Sequence, residues 1–201
     1  MGLFIAIDGP NGVGKSTVIE HLARVLTERG HRVVTTREPT DTELGRWIRA
    51  QQHRIRGKAL ACLVTADRYE HLDALVRPAV ASGAIVLCDR YICSSLVYQI
   101  ADGVSSSFVF SINSGIMKAD RIFLIRARPS TIAARMKTRS SVTRFESQLS
   151  PIREISLYRD AATALRAKGW AVSEHVNNSN VAPLVRRLTT EIEKLFDPQH
   201  G

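Results

Sequence analysis

Eight consecutive residues, Gly9-Pro10-Asn11-Gly12-Val13-Gly14-Lys15-Ser16, spell G-x-x-x-x-G-K-S between an apolar run and an amphipathic stretch. This is a pattern for holding phosphate. Its glycines let the backbone turn N–H groups inward around an anion, and the following helix adds partial positive charge. Lys15 reaches the terminal phosphates, the Ser16 hydroxyl can hold Mg²⁺, and Thr17 completes the helix entry. The bland alternative, a glycine-rich turn that binds nothing, needs no such lysine and hydroxyl.

Four further clusters carry charge, two of them where apolar runs end. Cys88-Asp89-Arg90-Tyr91 sets a carboxylate beside a guanidinium: Asp89 can bind Mg²⁺ through water, and Arg90 can grip a transferring phosphoryl group with two N–H donors. Its alternative is a salt-bridged strand end. Arg37-Glu38-Pro39 ends another run and can hold a second substrate's phosphate. Arg68 lies four residues from both Val64 and Leu72, inside an apolar stripe of Leu60, Leu63, Val64, Leu72, Leu75 and Val76. A guanidinium on that inward face must meet Asp67, another internal acid or an anionic ligand; the sheet edge favours the ligand, and a snorkelling or internally paired arginine is the bland alternative. Arg135 and Arg139, at i,i+4 with Lys137 nearby and Arg144 after Ser140-Ser141, read equally as a solvated helix face or as an arginine lid over a nucleotide.

These residues need a scaffold that gathers them. Short apolar or β-branched runs recur at Leu3–Ile7, Arg32–Thr36, Ala84–Cys88, Ile122–Ile125 and Trp170–His175, separated by stretches of helical period. The alternation predicts an α/β fold with a parallel sheet covered on both faces, whose ligands collect at the carboxyl ends of the strands. Val18, Leu22, Val25 and Leu26 mark the buried face of the first helix, and Glu20 and Arg24 can pair at i,i+4 on another face; residues 41–51 read as another helix. The chain has 201 residues, 44% of them apolar, which predicts one domain over residues 1–201. No apolar stretch approaches the roughly 18 residues of a membrane span. Leu3–Ile7 runs into Asp8 without a basic lead or a cleavage site, so a cytoplasmic protein is expected. Cys62, Cys88 and Cys93 form no C-x-x-C pair and are expected to be buried free thiols. With 28 Lys+Arg against 19 Asp+Glu the formal charge is +9, which attracts anions without choosing among nucleotides, nucleic acids and acidic lipids. A nucleic-acid-binding ATPase stays open on that charge alone, but the basic residues lack interleaved aromatics, which disfavours nucleic acid.

Taken together the clusters resemble the thymidylate kinase family of nucleoside monophosphate kinases along almost the whole chain. Thr36-Arg37-Glu38-Pro39 with Gly45 and Ile48-Arg49 is similar to the family's second motif, and Ala66-Asp67-Arg68 with His71 and Pro78-Ala79 resembles the helix facing thymine. Asp89-Arg90-Tyr91-Ile92-Cys93-Ser94-Ser95-Leu96-Val97-Tyr98-Gln99 is close to the family's D-R-Y-x-x-S-x-x-A-Y-Q. Arg135, Arg139 and Arg144-Phe145-Glu146 resemble the lid, about 135–147, and Asn177 to Val181 the loop flanking adenine.

The resemblance implies a P-loop NTPase three-layer αβα sandwich with a five-stranded parallel sheet in the order 2-3-1-4-5. It further implies ATP with Mg²⁺ as co-substrate, a pyrimidine nucleotide acceptor, and a homodimer. Lys15, Arg90 and Arg139 would be catalytic. Residues Gly9, Pro10, Asn11, Gly12, Val13, Gly14, Lys15, Ser16 and Thr17, with Arg135 and Arg139, would bind ATP, while Ser16 and Asp89 organise the metal. Asn11, Arg37, Glu38, Val64, Arg68, Arg90, Ser94, Ser95, Tyr98 and Gln99 would hold the acceptor. The sequence also departs from the family. Asn11 stands where many members carry an acid, Val64 where an aromatic stacks on thymine, Arg126 replaces an aspartate, Ile100-Ala101-Asp102-Gly103 replaces a glycine- and arginine-containing stretch, and Thr143 stands before R-F-E. Those changes touch the acceptor side, so a kinase of a modified nucleotide or of a nucleoside is a second expectation, and a nucleotide-binding protein without transfer activity a third.

Overall fold

The computed structural model describes residues 2–137 and 149–196. Five strands form one parallel sheet: β1 (Leu3–Asp8), β2 (Val33–Arg37), β3 (Ile85–Asp89), β4 (Arg121–Arg126) and β5 (Val172–Val176), in the order β2-β3-β1-β4-β5. Each lies within two residues of the run that predicted it. The helices are α1 (Lys15–Glu28), α2 (Glu43–Gln51), α3 (Gly57–His71), α4 (Arg77–Ala81), α5 (Ile92–Ala101), α6 (Ser106–Ile112), α7 (Pro129–Lys137), α8 (Pro151–Ala167) and α9 (Ala182–Lys194), with a π-helical turn, Leu72–Val76, joining α3 to α4.

Every residue of β1 is buried, as a central parallel strand covered on both faces requires. Alternate residues point to opposite layers. Leu3, Ile5 and Ile7, with Ile85, Leu87, Phe123 and Ile125, pack under α1, α7 and α9. Phe4, Ala6, Val86, Cys88, Ile122 and Leu124 face the other way, onto the π-turn, α5 and α8. Each fully buried aliphatic or aromatic side chain contributes about 1.5–3 kcal/mol, so the three layers hold the carboxyl edge of the sheet rigidly. Among the described residues no helix is long and apolar enough to cross a membrane.

Local details differ from expectation for identifiable reasons. Arg24 pairs with Glu28 at 3.0 Å rather than with Glu20. Helix α2 starts at Glu43 because the Thr42 hydroxyl accepts the Gly45 N–H at 3.3 Å and caps it there. Cys88 and Cys93 are buried, but Cys62 is exposed on the outer face of α3. The π-turn advances the helical register, so Leu75 swings outward while Leu72 and Val76 stay in the core.

Candidate active site

The sheet register assembles the site. Arg37 and Ile7 both lie opposite Asp89, so the carboxyl ends of β2, β3 and β1 place a guanidinium, a carboxylate and the start of the glycine-rich loop side by side. Gly9 has φ +144°, and a Cβ there would stand 2.2 Å from the Ile125 carbonyl; only glycine fits this close approach. Gly14, at φ 89°, turns the chain into α1.

Lys15 folds its ammonium across the loop, donating to the carbonyls of Gly9 at 2.9 Å and Pro10 at 3.0 Å. Burial pushes its pKa down, Arg90 pushes in the same direction, and Asp89, Glu154 and Asp8 only partly offset them, leaving it at about 7. Val13 turns its side chain into the core, while its carbonyl accepts from Asn177 at 2.8 Å and Arg135 at 3.0 Å. Arg135 thus braces the loop against the chain after β5. Ser16 and Thr17 are exposed, and the Ser16 hydroxyl donates to Asp89 Oδ2 at 3.0 Å. Asp89 Oδ1 is buried without a partner among the described residues. A hydroxyl beside a carboxylate with an unsatisfied oxygen is a donor set suited to a hard cation such as Mg²⁺.

Arg90 adopts φ 74°, a left-handed conformation that costs a non-glycine residue about 1–2 kcal/mol. Its surroundings enforce that geometry: the Arg90 N–H donates to the Ile7 carbonyl at 3.0 Å. The guanidinium donates to the hydroxyls of Ser94 (3.2 Å), Tyr98 (3.0 Å) and Tyr158 (3.0 Å), and to Asn11 Oδ1. Beneath it lies Asp8, fully buried; burial raises its pKa, opposed by the bond from Ser94 and the charges of Arg90 and Lys15.

Arg68 is 1% exposed and fully engaged. It donates to Glu38 at 2.8 Å, Asn113 at 2.6 Å and Ser95 at 2.9 Å. Burial disfavours its charge, but the Glu38 carboxylate leads the opposing effects, and the guanidinium stays protonated above its usual range. The ligand favoured from sequence is therefore corrected to the alternative, an arginine paired internally with Glu38, because a guanidinium this deeply buried needs a counter-charge in the protein itself. Asp67 instead accepts from the N–H and hydroxyl of Thr40, at 2.8 and 2.6 Å. Glu38 also meets His71 Nδ1 at 3.1 Å, so its charge is consumed inside the protein.

Two cavities open on this edge. The smaller, about 150 Å³, has an aliphatic floor of Ile48, Leu60 and Val64 and a polar wall that includes Arg37, Glu38, Arg68, Ser94, Ser95, Tyr98 and Gln99. Gln99 Oε1 is buried there without a partner among the described residues. The larger, about 560 Å³, is lined by Gly12, Gly14, Lys15, Ser16, Thr17, Asp89, Arg135, Asn177, Ser179 and Val181. Asn11, Arg37 and Arg90 line both. Gly9 and Pro10 serve instead by presenting carbonyls to Lys15. Arg139, Arg144, Phe145 and Glu146 lie outside the described residues.

The thymidylate kinase family model matches residues 7–182. The chain belongs to the thymidylate kinase family. Among its relatives, a probable thymidylate kinase of Pyrobaculum aerophilum is 37% identical over 192 residues, covering 92% of this chain and 97% of that one. A probable thymidylate kinase of Caldivirga maquilingensis is 36% identical over 159 residues, 77% of this chain and 78% of the relative. The thymidylate kinase of Caldicellulosiruptor saccharolyticus is 40% identical over 144 residues, 68% and 70% of the two chains.

Within this thymidylate kinase fold, sequence reasoning passed over three residues that shape the site: Asp8, Tyr158 and Glu154. Asp8 was visible as the acid closing an apolar strand. Tyr158 and Glu154 lie on α8 and give no signal in sequence, because nothing in their neighbourhood announces that this face of α8 reaches the loop of residues 9–14.

Proposed function

We propose that the chain is an ATP-dependent nucleoside monophosphate kinase that moves the γ-phosphoryl group of ATP to the 5′-phosphate of dTMP, giving ADP and dTDP. One observation beyond family membership carries the reading. The cavity built on the glycine-rich loop and the cavity with an aliphatic floor share Asn11, Arg37 and Arg90 as a common wall, so two anions docked in them meet at those residues.

In this reading the loop amides and Lys15 hold the triphosphate, with Arg135 and residues 177–181 on the nucleoside side. Arg37 and Arg90 hold the acceptor phosphate, while Gln99 and the aliphatic floor face the base. Ser16 and Asp89 would hold Mg²⁺, which when bound screens the charge of the β- and γ-phosphates. An acceptor phosphate oxygen forms the new P–O bond as the bond between γ-phosphorus and the β,γ-bridging oxygen breaks, and the electron pair leaves with ADP. The attacking oxygen is already ionised, so this chain needs no general base. Its residues align the two anions and neutralise their mutual repulsion. Arg68, in the wall of the same cavity, fixes Ser95 and Glu38 beside it, and Arg139 is assigned the catalytic arginine on family resemblance.

The reading extends to one catalytic domain acting in the cytoplasm as a homodimer. A panel of deoxy- and ribonucleoside monophosphates incubated with Mg·ATP tests the acceptor. dTMP should give the highest kcat/KM; turnover of a different base or of a nucleoside, with dTMP inert, would replace it. Size-exclusion chromatography with light scattering tests the dimer.

A further inference from the structure

Glu154 is 4% exposed, on the first turn of α8, and among the described residues every bond its carboxylate makes reaches the transfer site. It accepts from the Asn11 N–H at 3.2 Å on each oxygen, from Asn11 Nδ2 at 3.1 Å and from the Tyr98 hydroxyl at 2.7 Å. Asn11 is held at its other end by Arg90, which donates to Oδ1. The amide therefore spans a buried carboxylate and a guanidinium, with its orientation fixed by what each end can donate or accept. Its neighbours matter to substrate: Asn11 and Arg90 line both cavities and Tyr98 lines the smaller.

We propose that Glu154 is a positioning residue for acceptor binding, and that Asn11 and Glu154 act as one amide–carboxylate unit whose two members can exchange places. The inference rests on the kinase reading above. The unit needs one negative charge. With a carboxylate at both positions, two oxygens would face each other at about hydrogen-bond distance, which forces a shared proton or separation. With an amide at both, the Tyr98 hydroxyl and the Asn11 N–H lose the anion to which they donate. When the acid moves to position 11 and the amide to position 154, the relocated carboxylate still accepts from Arg90. The relocated NH₂ group, standing where Oε1 was, donates to that carboxylate and to the Tyr98 hydroxyl; the hydroxyl in turn donates to the carboxylate at position 11, where the amide nitrogen stood 3.1 Å away, and the carbonyl of the relocated amide accepts from the loop N–H.

Three variants test it: Glu154→Gln, Asn11→Asp and the double exchange, each assayed with dTMP varied at saturating ATP and each melted without ligand. Glu154→Gln should raise the dTMP KM about 10-fold while kcat stays within about 3-fold of wild type. Asn11→Asp should raise it about 30-fold, through repulsion between buried carboxylates. The double variant should return to within about 3-fold of wild type, far from the product of the two single effects. Additive losses in the double variant would overturn the exchangeable unit. Melting temperatures that fall and recover while KM stays at the wild-type value would overturn the positioning role, leaving a purely structural one. Wild-type protein inert toward dTMP would instead remove the kinase reading, and the acceptor role with it, before any variant is compared.

Discussion

Lys15 sits in the protein with its ammonium turned back onto two loop carbonyls, buried and close to Arg90. Its pKa of about 7 lies below the ordinary 10.5, so between those values the folded protein lacks a proton that the unfolded chain holds. The penalty this group sets on folding is therefore full below about 7 and fades as pH rises through that window to 10.5. A triphosphate reverses the balance by supplying negative charge, so nucleotide binding at about pH 8, inside that window, should draw a proton from the buffer. Calorimetry in two buffers of different ionisation enthalpy measures that uptake; equal binding enthalpies in both would show Lys15 to be charged already. Lys15→Ala should cut turnover at least ~100-fold, as loss of a preorganised donor to developing charge does. Arg68 predicts a different outcome. Its removal strands Glu38 in the core, and Arg68→Ala should cost about 3–5 kcal/mol of stability, seen as a lowered denaturant midpoint, together with a raised dTMP KM. An unchanged midpoint would mean that Glu38 finds other partners.

At the scale of elements, the glycine-rich loop depends on how closely β1 passes β4. Gly9→Ala places a methyl 2.2 Å from the Ile125 carbonyl at φ +144°, and should lower the melting temperature and abolish ATP binding together; ATP affinity at the wild-type level would show that the backbone can shift. The strands were readable from sequence because β1 and β3 are buried on both faces and appear as unbroken apolar runs, and because Asp8, Arg37 and Asp89 stop such runs at the same edge. The loop and the Arg90 cluster were readable for the same reason, each being a compact string of residues. What was not readable depends on distance along the chain. Nothing near Arg68 names Glu38 or Asn113, which lie 30 and 45 residues away. Nothing near Asn11 names Glu154, 143 residues away. The π-turn that swings Leu75 outward breaks a helical stripe in a way that periodicity alone does not register.

For the whole molecule, two apolar layers clamp a sheet whose carboxyl edge gathers Lys15, Arg37, Arg90 and Arg135 around two adjoining cavities. Arg68, outwardly similar to these, is neutralised within the core, so the net charge of +9 counts unlike roles together. What the fold accomplishes is the meeting of two anions that would repel each other in water. The direct measurement is ³¹P NMR of Mg·ATP and dTMP with the purified protein. The account predicts loss of the ATP γ-resonance with matched growth of the dTDP β-resonance and no inorganic phosphate. ATP consumed to inorganic phosphate with dTMP untouched, or no consumption at all, would contradict it.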